Sequence, residues 1–203
     1  YIAANPNAKV TTIKEPDMGK VVDAAAQVMV DYDVMVLPGF QFSSIGATAQ
    51  KNPETKILLI DTAPTDENGN TVRLDNVYSM TFQEEESGFY AGIAAALETK
   101  TGKVASTHGI AFPSNINYQY GFESGVNYAN KYFGTTAELI ELPSYAGTDI
   151  FGNNVGGNYI GAFADQATGK VVGEALISEG CDIIFVAAGD SGNGVFAAAK
   201  EAQ

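Results

Sequence analysis

The chain has 203 residues, of which 45% are hydrophobic and 17% charged, and it carries a formal net charge of −13 with one cysteine, one histidine and no tryptophan. That balance supplies a globular core, while the acidity removes the basic surface that nucleic-acid phosphates require. Cys181 alone can form no internal disulfide, and one cysteine with one histidine is a poor zinc set. No cofactor is implied.

No stretch reaches the roughly 20 apolar residues that span a bilayer, and no secretory signal is legible. The chain opens at "YIAANPNAK", which reads as the end of a helix running into a turn, and closes inside the helical pattern "GNGVFAAAKEAQ". The expectation is a mature or trimmed chain, or a fragment of a longer one.

Apolar runs alternate with helical stretches. "KVTTIK" (9–14) reads as a strand because β-branched residues dominate it, 18–32 as a helix, and "VMVLPG" (34–39) as a strand. A serine-capped helix follows over 43–53, ending at Pro53, and "KILLID" (56–61) is the next strand. The polar stretch 62–75 has turn residues and no helix signature, with a hairpin predicted around Asn68-Gly69. "NVYSMTF" (76–82) reads as a strand and 84–100 as a helix with three glutamates in its first turn, where the helix dipole favours them. Further strands are predicted at 103–110, 137–145 and 181–189, and helices at 115–133, 165–180 and 193–202. The segment 146–165 is a long glycine- and asparagine-rich loop, and loops of that length are often functional.

The strand runs are continuous rather than alternating, which predicts parallel strands buried on both faces. The fold class is therefore α/β, with doubly wound parallel sheets and right-handed crossovers. A domain boundary with a hinge is placed near 82–84, giving units 1–82 and 83–203.

In such sheets ligands bind at the carboxyl ends of the strands. The residues there are Phe40 and Phe42, Asp61, Glu84, Phe112 and Asn115, and then Gly189, Asp190 and Ser191; Phe163 sits in the long loop. Aromatics, amides and carboxylates dominate, and cations are scarce. That set suits a neutral, flat ligand bearing hydroxyls. Each position has a plainer reading beside the functional one. Phe40 and Phe42 can be core beneath a loop, Asp61 can cap a turn, and the glutamates can be helix-start charges. Phe163 needs something apolar to cover.

"GDSG" (189–192) is also the string around a serine-protease nucleophile. An α/β hydrolase, however, needs Gly-x-Ser-x-Gly and a histidine after the serine. Residues 189–193 read Gly-Asp-Ser-Gly-Asn and His108 comes first, so no catalytic serine is predicted. The glycines serve instead to let backbone approach a ligand.

The stretches "PGFQFSSIGATAQKNPETKILLID", "NVYSMTFQEEESGFYAGIAAALETKTGKV" and "GAFADQATGKVVGEALISEGCDIIFVAAGDSGNGVFAAAKE" resemble the basic membrane protein family, the purine-nucleoside-receptor-like substrate-binding lipoproteins of ABC transporters. The resemblance implies a two-lobed periplasmic-binding-protein fold of the first type with ligand between the lobes. It also implies a non-enzymatic, lipid-anchored extracytoplasmic receptor that hands a nucleoside to a membrane permease. On this resemblance Asp61 is the strand-end aspartate that binds ligand polar groups, and Phe163 is a stacking aromatic. Gly189 to Gly192 form the cleft loop of the second lobe, Gly189, Asp190 and Ser191 among them as candidate contacts, and Phe40 belongs to the "G-F-x-F" loop. A sugar or other small-metabolite receptor is the alternative within the same architecture. The family's opening strand and a later segment are missing here, so a gap is expected in the first sheet. The expectation is that the chain is part of a receptor of roughly 300 residues or is completed by another chain.

Overall fold

A computed structural model describes residues 2–202. The chain divides into two compact units, Tyr1–Thr81 and Phe82–Gln203. Both are α/β.

Unit 1 contains α1 (Val21–Val28), β1 (Val34–Pro38), α2 (Gly46–Lys51), β2 (Lys56–Ile60) and β3 (Val77–Met80). The strands form a parallel sheet in the order β1-β2-β3. Ala25 and Met29 from α1 and its extension, and Ile45 and Ala49 at α2, pack on Met35, Leu37, Ile57 and Leu59. Both helices therefore lie on one face of the sheet. The opposite face is open: β1 alternates between exposed and buried, with Val34 61% and Val36 56% exposed. This corrects the expectation of burial on both faces. Apolar composition shows that a strand can be covered twice, but the helices present decide whether it is.

Three local expectations also change. Residues 9–14 form no strand and are exposed throughout; with no neighbouring ladder to satisfy their backbone groups, β-branching alone does not hold them in a sheet. The serines at 43 and 44 cap nothing; α2 follows a 3₁₀ turn over Phe40–Ile45 and its N-cap is Ile45. The 62–75 stretch does close on itself through a Thr65–Thr71 antiparallel bridge, and the Asp66 carboxylate accepts from the Asn68 and Asn70 backbone N–H groups.

Unit 2 contains α3 (Glu84–Glu98), β4 (Lys103–His108), α4 (Pro113–Tyr132), β5 (Glu138–Leu139), β6 (Gly147–Thr148), β7 (Asn154–Gly156), α5 (Gln166–Ser178), β8 (Ile183–Ala187) and α6 (Gly192–Glu201). A parallel sheet runs β5-β4-β8, and β6 and β7 form a short antiparallel pair. The predicted strand over 137–145 shrinks to two residues. The Asn158 side chain takes over beyond it, accepting from Leu142 N–H and donating to the Ser106 and Ile140 carbonyls. The long 146–165 loop is thus partly structured by the β6–β7 pair and by Asn158.

Helices α3 and α4 cover one face of this sheet, where Phe122 stacks on Phe185 at 5.6 Å between ring centroids. The pair is set by Gly88-x-x-x-Gly92 on α3 and Gly121-x-x-x-Gly125 on α4. A Cβ on Gly92 would land on the Phe122 carbonyl, and one on Gly125 on the Phe89 carbonyl. The backbones touch because nothing intervenes. Helices α5 and α6 cover the other face, with Val172, Leu176 and Val195 packed around Ala105 and Cys181. The Cys181 thiol is buried, and burial pushes it up to about 11; it is a core group. Asp182, next in the chain, accepts from the Thr99 hydroxyl and the Lys100 and Thr101 backbone N–H groups. Desolvation pushes its carboxyl upward, but these hydrogen bonds outweigh it and hold it at about 2. That fastens the α3–β4 turn to the start of β8. Among the described residues no helix is long and apolar enough to cross a membrane.

His108 closes β4 and is fully buried. Its Nε2 pairs with the Ser106 hydroxyl at 2.9 Å, its Nδ1 has no hydrogen-bond partner, and desolvation lowers its pKa from 6.5 to about 3.

Two outcomes are expected. In an open helix Gly→Ala adds up to about 1 kcal/mol of stability; here Gly125→Ala will remove about 1–3 kcal/mol through forced separation of α3 and α4, read from urea unfolding. His108 binds its proton in the unfolded chain near 6.5 but in the folded chain only near 3. Stability is therefore intact above pH 6.5 and falls by about 1.4 kcal/mol per unit below it. The stability of the wild type relative to His108→Gln should fall by at least about 2 kcal/mol between pH 6.5 and 4. A difference that does not change with pH refutes this account of the histidine.

Candidate functional site

The carboxyl end of β8 opens on a cavity of about 610 Å³ in unit 2, within the size range of small-molecule pockets. Its lining includes Ser87 from α3, Asn115 and Tyr118 from α4, Phe163, Phe185 from β8 and Phe196 from α6. The backbone from Val186 to Gly189 and Gly192 complete it. No lysine, arginine or histidine lines it.

Phe163 is held on three sides. Its ring rests where a Cβ of Gly109 would stand, it packs against Gly189, and its centroid lies 6.1 Å from that of Phe112. Gly109 directly follows β4, so the glycine at the strand end makes the room for the ring. Asn115 enters α4 two residues after Pro113, which starts the helix. Its Nδ2 donates to the Ala187 carbonyl at 2.7 Å, tying α4 to the end of β8. Asn115 is buried, so this bond fixes an otherwise costly amide.

The "GDSG" stretch forms a 3₁₀ turn, Gly189–Ser191, leading into α6. Ser191 is fully buried. Its Oγ accepts from the Asp165 N–H at 2.8 Å and donates to the Ala162 carbonyl at 3.0 Å, and its own N–H donates to the Phe163 carbonyl. The side chain clips the Phe163 loop to the start of α6. His108 points to Ser106 instead, so no nucleophile–base pair exists between them. Asp190 is exposed, and its carboxylate accepts from the Gln166 and Asn193 side chains, which lowers its pKa.

Glu84, the first residue of α3, is buried, and its carboxylate accepts from the Asn117 Nδ2 at 3.3 Å. Of the candidates in unit 2, the structure thus brings Asn115, Phe163 and Gly189 to one cavity, with Phe112 behind Phe163. Glu84 and Asp190 are engaged by neighbours, and Ser191 is interior. Tyr118, Phe185 and Phe196 were not singled out as ligand contacts by the sequence. Tyr118 follows Asn115 by one helical turn and shares its face, a signal that could have found it; an apolar Phe185 in a strand gives none.

In unit 1, Phe40 opens the 3₁₀ turn after β1, and Asp61 follows β2. Asp61 has φ +66°, the one positive value at a non-glycine position among the described residues. Its N–H donates to the Met80 carbonyl at 2.8 Å. Aspartate tolerates this left-handed conformation better than most residues, and strain of this kind concentrates at functional positions.

The sequence model of the family described as "ABC transporter substrate-binding protein PnrA-like" matches residues 7–141 and 145–203. Basic membrane protein A1 of Borrelia garinii is 35% identical over 166 residues, covering 81% of this chain and 42% of that protein. The ABC transporter nucleoside-binding protein BmpA of Lactococcus lactis is 29% identical over 170 residues, covering 83% of this chain and 41% of that protein. The chain thus spans about two fifths of the length of these curated relatives. A solved ABC transporter solute-binding protein from Aeropyrum pernix superposes with a TM-score of 0.79 at 26% identity, over 98% of this chain and 51% of that one. With the family matched over nearly the whole chain and its glycine-paired helices and strand-end cavity described, the chain belongs to the Bmp family of PnrA-like ABC transporter substrate-binding proteins.

Proposed function

We propose that the chain is the ligand-recognising part of an extracytoplasmic receptor serving an ABC importer, and that its ligand is a nucleoside, with a purine base preferred. The observation that carries this reading is the uncharged cavity built around Phe163, whose ring is held by Gly109, Gly189 and Phe112. A fixed aromatic face beside an amide-bearing helix suits a neutral base, and stacking on such a face is indifferent to charge. Ser87, Asn115 and Tyr118 are the polar side chains of the cavity lining. On the family resemblance, Asp61 at the end of β2 is the carboxylate assigned to ligand hydroxyls.

The name of the Lactococcus relative, a nucleoside-binding protein, supports the ligand class. We further propose that the two units act as the two lobes of the receptor, with the join at residues 82–84 as the hinge. A lipid anchor outside this chain holds it at the cell surface, and a membrane permease receives the ligand. Binding rather than turnover is the output, because the serine that invites a hydrolytic reading is spent on loop structure.

Thermal-shift measurements on the intact gene product test this. Inosine, guanosine or adenosine should raise the midpoint in proportion to the logarithm of concentration, and glucose should not. Phe163→Leu, which keeps apolar cover but removes the ring face, should weaken nucleoside binding by about tenfold or more. Stabilisation by glucose alone would make this a sugar receptor, and unchanged affinity in Phe163→Leu would remove the ring from the site.

A further inference from the structure

A second cavity in unit 2, of about 350 Å³, lies in the groove between α3 and α4. Glu85, Glu86, Phe89 and Tyr90 of α3 line it with Tyr120 and Ser124 of α4, and no lysine or arginine does. The groove follows from the close helix pairing. A Cβ on Gly121 would land on the Glu85 carbonyl, so the two backbones meet at the bottom and the long side chains stand as walls. Those walls face solvent: Tyr90 is 69% exposed and Tyr120 47%. The helix dipole accounts for glutamates in the first turn of α3, and helix packing accounts for Gly121. Neither calls for a tyrosine at 90 or at 120.

The rings continue beyond the cavity. Phe89 lies 5.9 Å from Tyr90 and 5.4 Å from Tyr128, and Tyr128 lies 4.5 Å from Tyr132 and 5.7 Å from Phe133, all between ring centroids. From Tyr120 to Tyr132 the strip follows α4 for about 18 Å. Its far end already shows the chemistry of such rings, because the Lys131 ammonium lies over the Tyr132 ring, 4.9 Å from its centroid. At the near end two carboxylates stand beside two exposed tyrosines, and no cation of the cavity lining answers them.

Carboxylates and ring faces attract the same species. A cation over a tyrosine or phenylalanine face is held by the ring quadrupole. Arginine does this and also pairs its planar fork with carboxylates. A strip of about 18 Å is longer than any one side chain and matches about three turns of helix. Exposed aromatic residues of this kind are enriched at protein interfaces. A second copy of this chain is a poor occupant, because its net charge of −13 sets like against like.

We infer that the α3–α4 groove is a docking surface for an arginine-bearing segment of a partner protein, its guanidinium seated among Glu85, Glu86, Tyr90 and Tyr120 and its apolar side chains along Tyr128 and Phe133. This surface shares no lining residue with the Phe163 cavity, so it stands apart from the nucleoside reading.

The test is fluorescence anisotropy on the intact gene product with a labelled amphipathic helical peptide of arginine, leucine and alanine, about 20 Å long. The control peptide carries citrulline, the uncharged counterpart, in place of arginine. The arginine peptide should bind about tenfold more tightly or better. Tyr90→Leu, which keeps apolar cover but removes the ring face, should weaken it about fivefold. Glu85→Gln with Glu86→Gln should weaken it about tenfold, and both variants should keep the wild-type response to nucleosides. Glu54→Gln with Glu67→Gln removes the same charge from unit 1 and should change affinity less than about twofold, since diffuse charge at that distance is screened. Equal binding of the citrulline peptide, or an equal loss in the unit 1 variant, overturns the inference. So does self-association that Tyr90→Leu abolishes, because a second copy would then be the occupant. Attachment to phosphatidylcholine vesicles that is lost in the same variant overturns it likewise, in favour of a lipid surface.

Discussion

The contact between α3 and α4 is the constraint on which the second unit depends. Two helices ordinarily stand 8–10 Å apart, held off by their side chains. Here Gly92 and Gly125 bring backbone against backbone. That closeness lets α3 present Glu84 and Ser87 beside Asn115, Asn117 and Tyr118 of α4 at the ends of the strands. A side chain at either glycine would change the helix separation and displace the cavity wall. The stability of the unit and the geometry of its site therefore rest on the same atoms.

Around that pair, polar side chains that suggest chemistry are used for construction. Ser191 clips two loops, Asn115 ties a helix to a strand end, and Asn158 continues an interrupted ladder. Each satisfies backbone groups that would otherwise be buried without partners. What remains for a ligand is mostly aromatic surface and backbone. Rigid rings with pre-positioned dipoles present a fixed shape to a ligand at little entropic cost.

The parts visible in the sequence are those governed by local periodicity. Helices α3 to α6 and the strands β1, β2, β4 and β8 fall where the patterns put them, because each carries a local apolar pattern that its neighbours cover on at least one side. Phe163 stood out because a phenylalanine in a glycine-rich loop needs cover. Residues 9–14 were misread because a strand exists only when a neighbour takes its hydrogen bonds, and no strand among the described residues pairs with them. Ser191 is interior for a similar reason: the partners of its hydroxyl, at Asp165 and Ala162, are distant in sequence and meet it only in the folded loop.

Sequence alone settled the α/β class, the absence of a disulfide framework and the resemblance to substrate-binding receptors. Each of these rests on composition, spacing or short contiguous motifs. Tertiary structure decided which carboxyl-end residues share a cavity, and that both helices of the first unit lie on one face of its sheet. It also decided that the glycines of α3 and α4 set a helix–helix distance. These depend on which elements meet, and meeting is fixed by crossover direction and close packing over long separations, which no local pattern encodes.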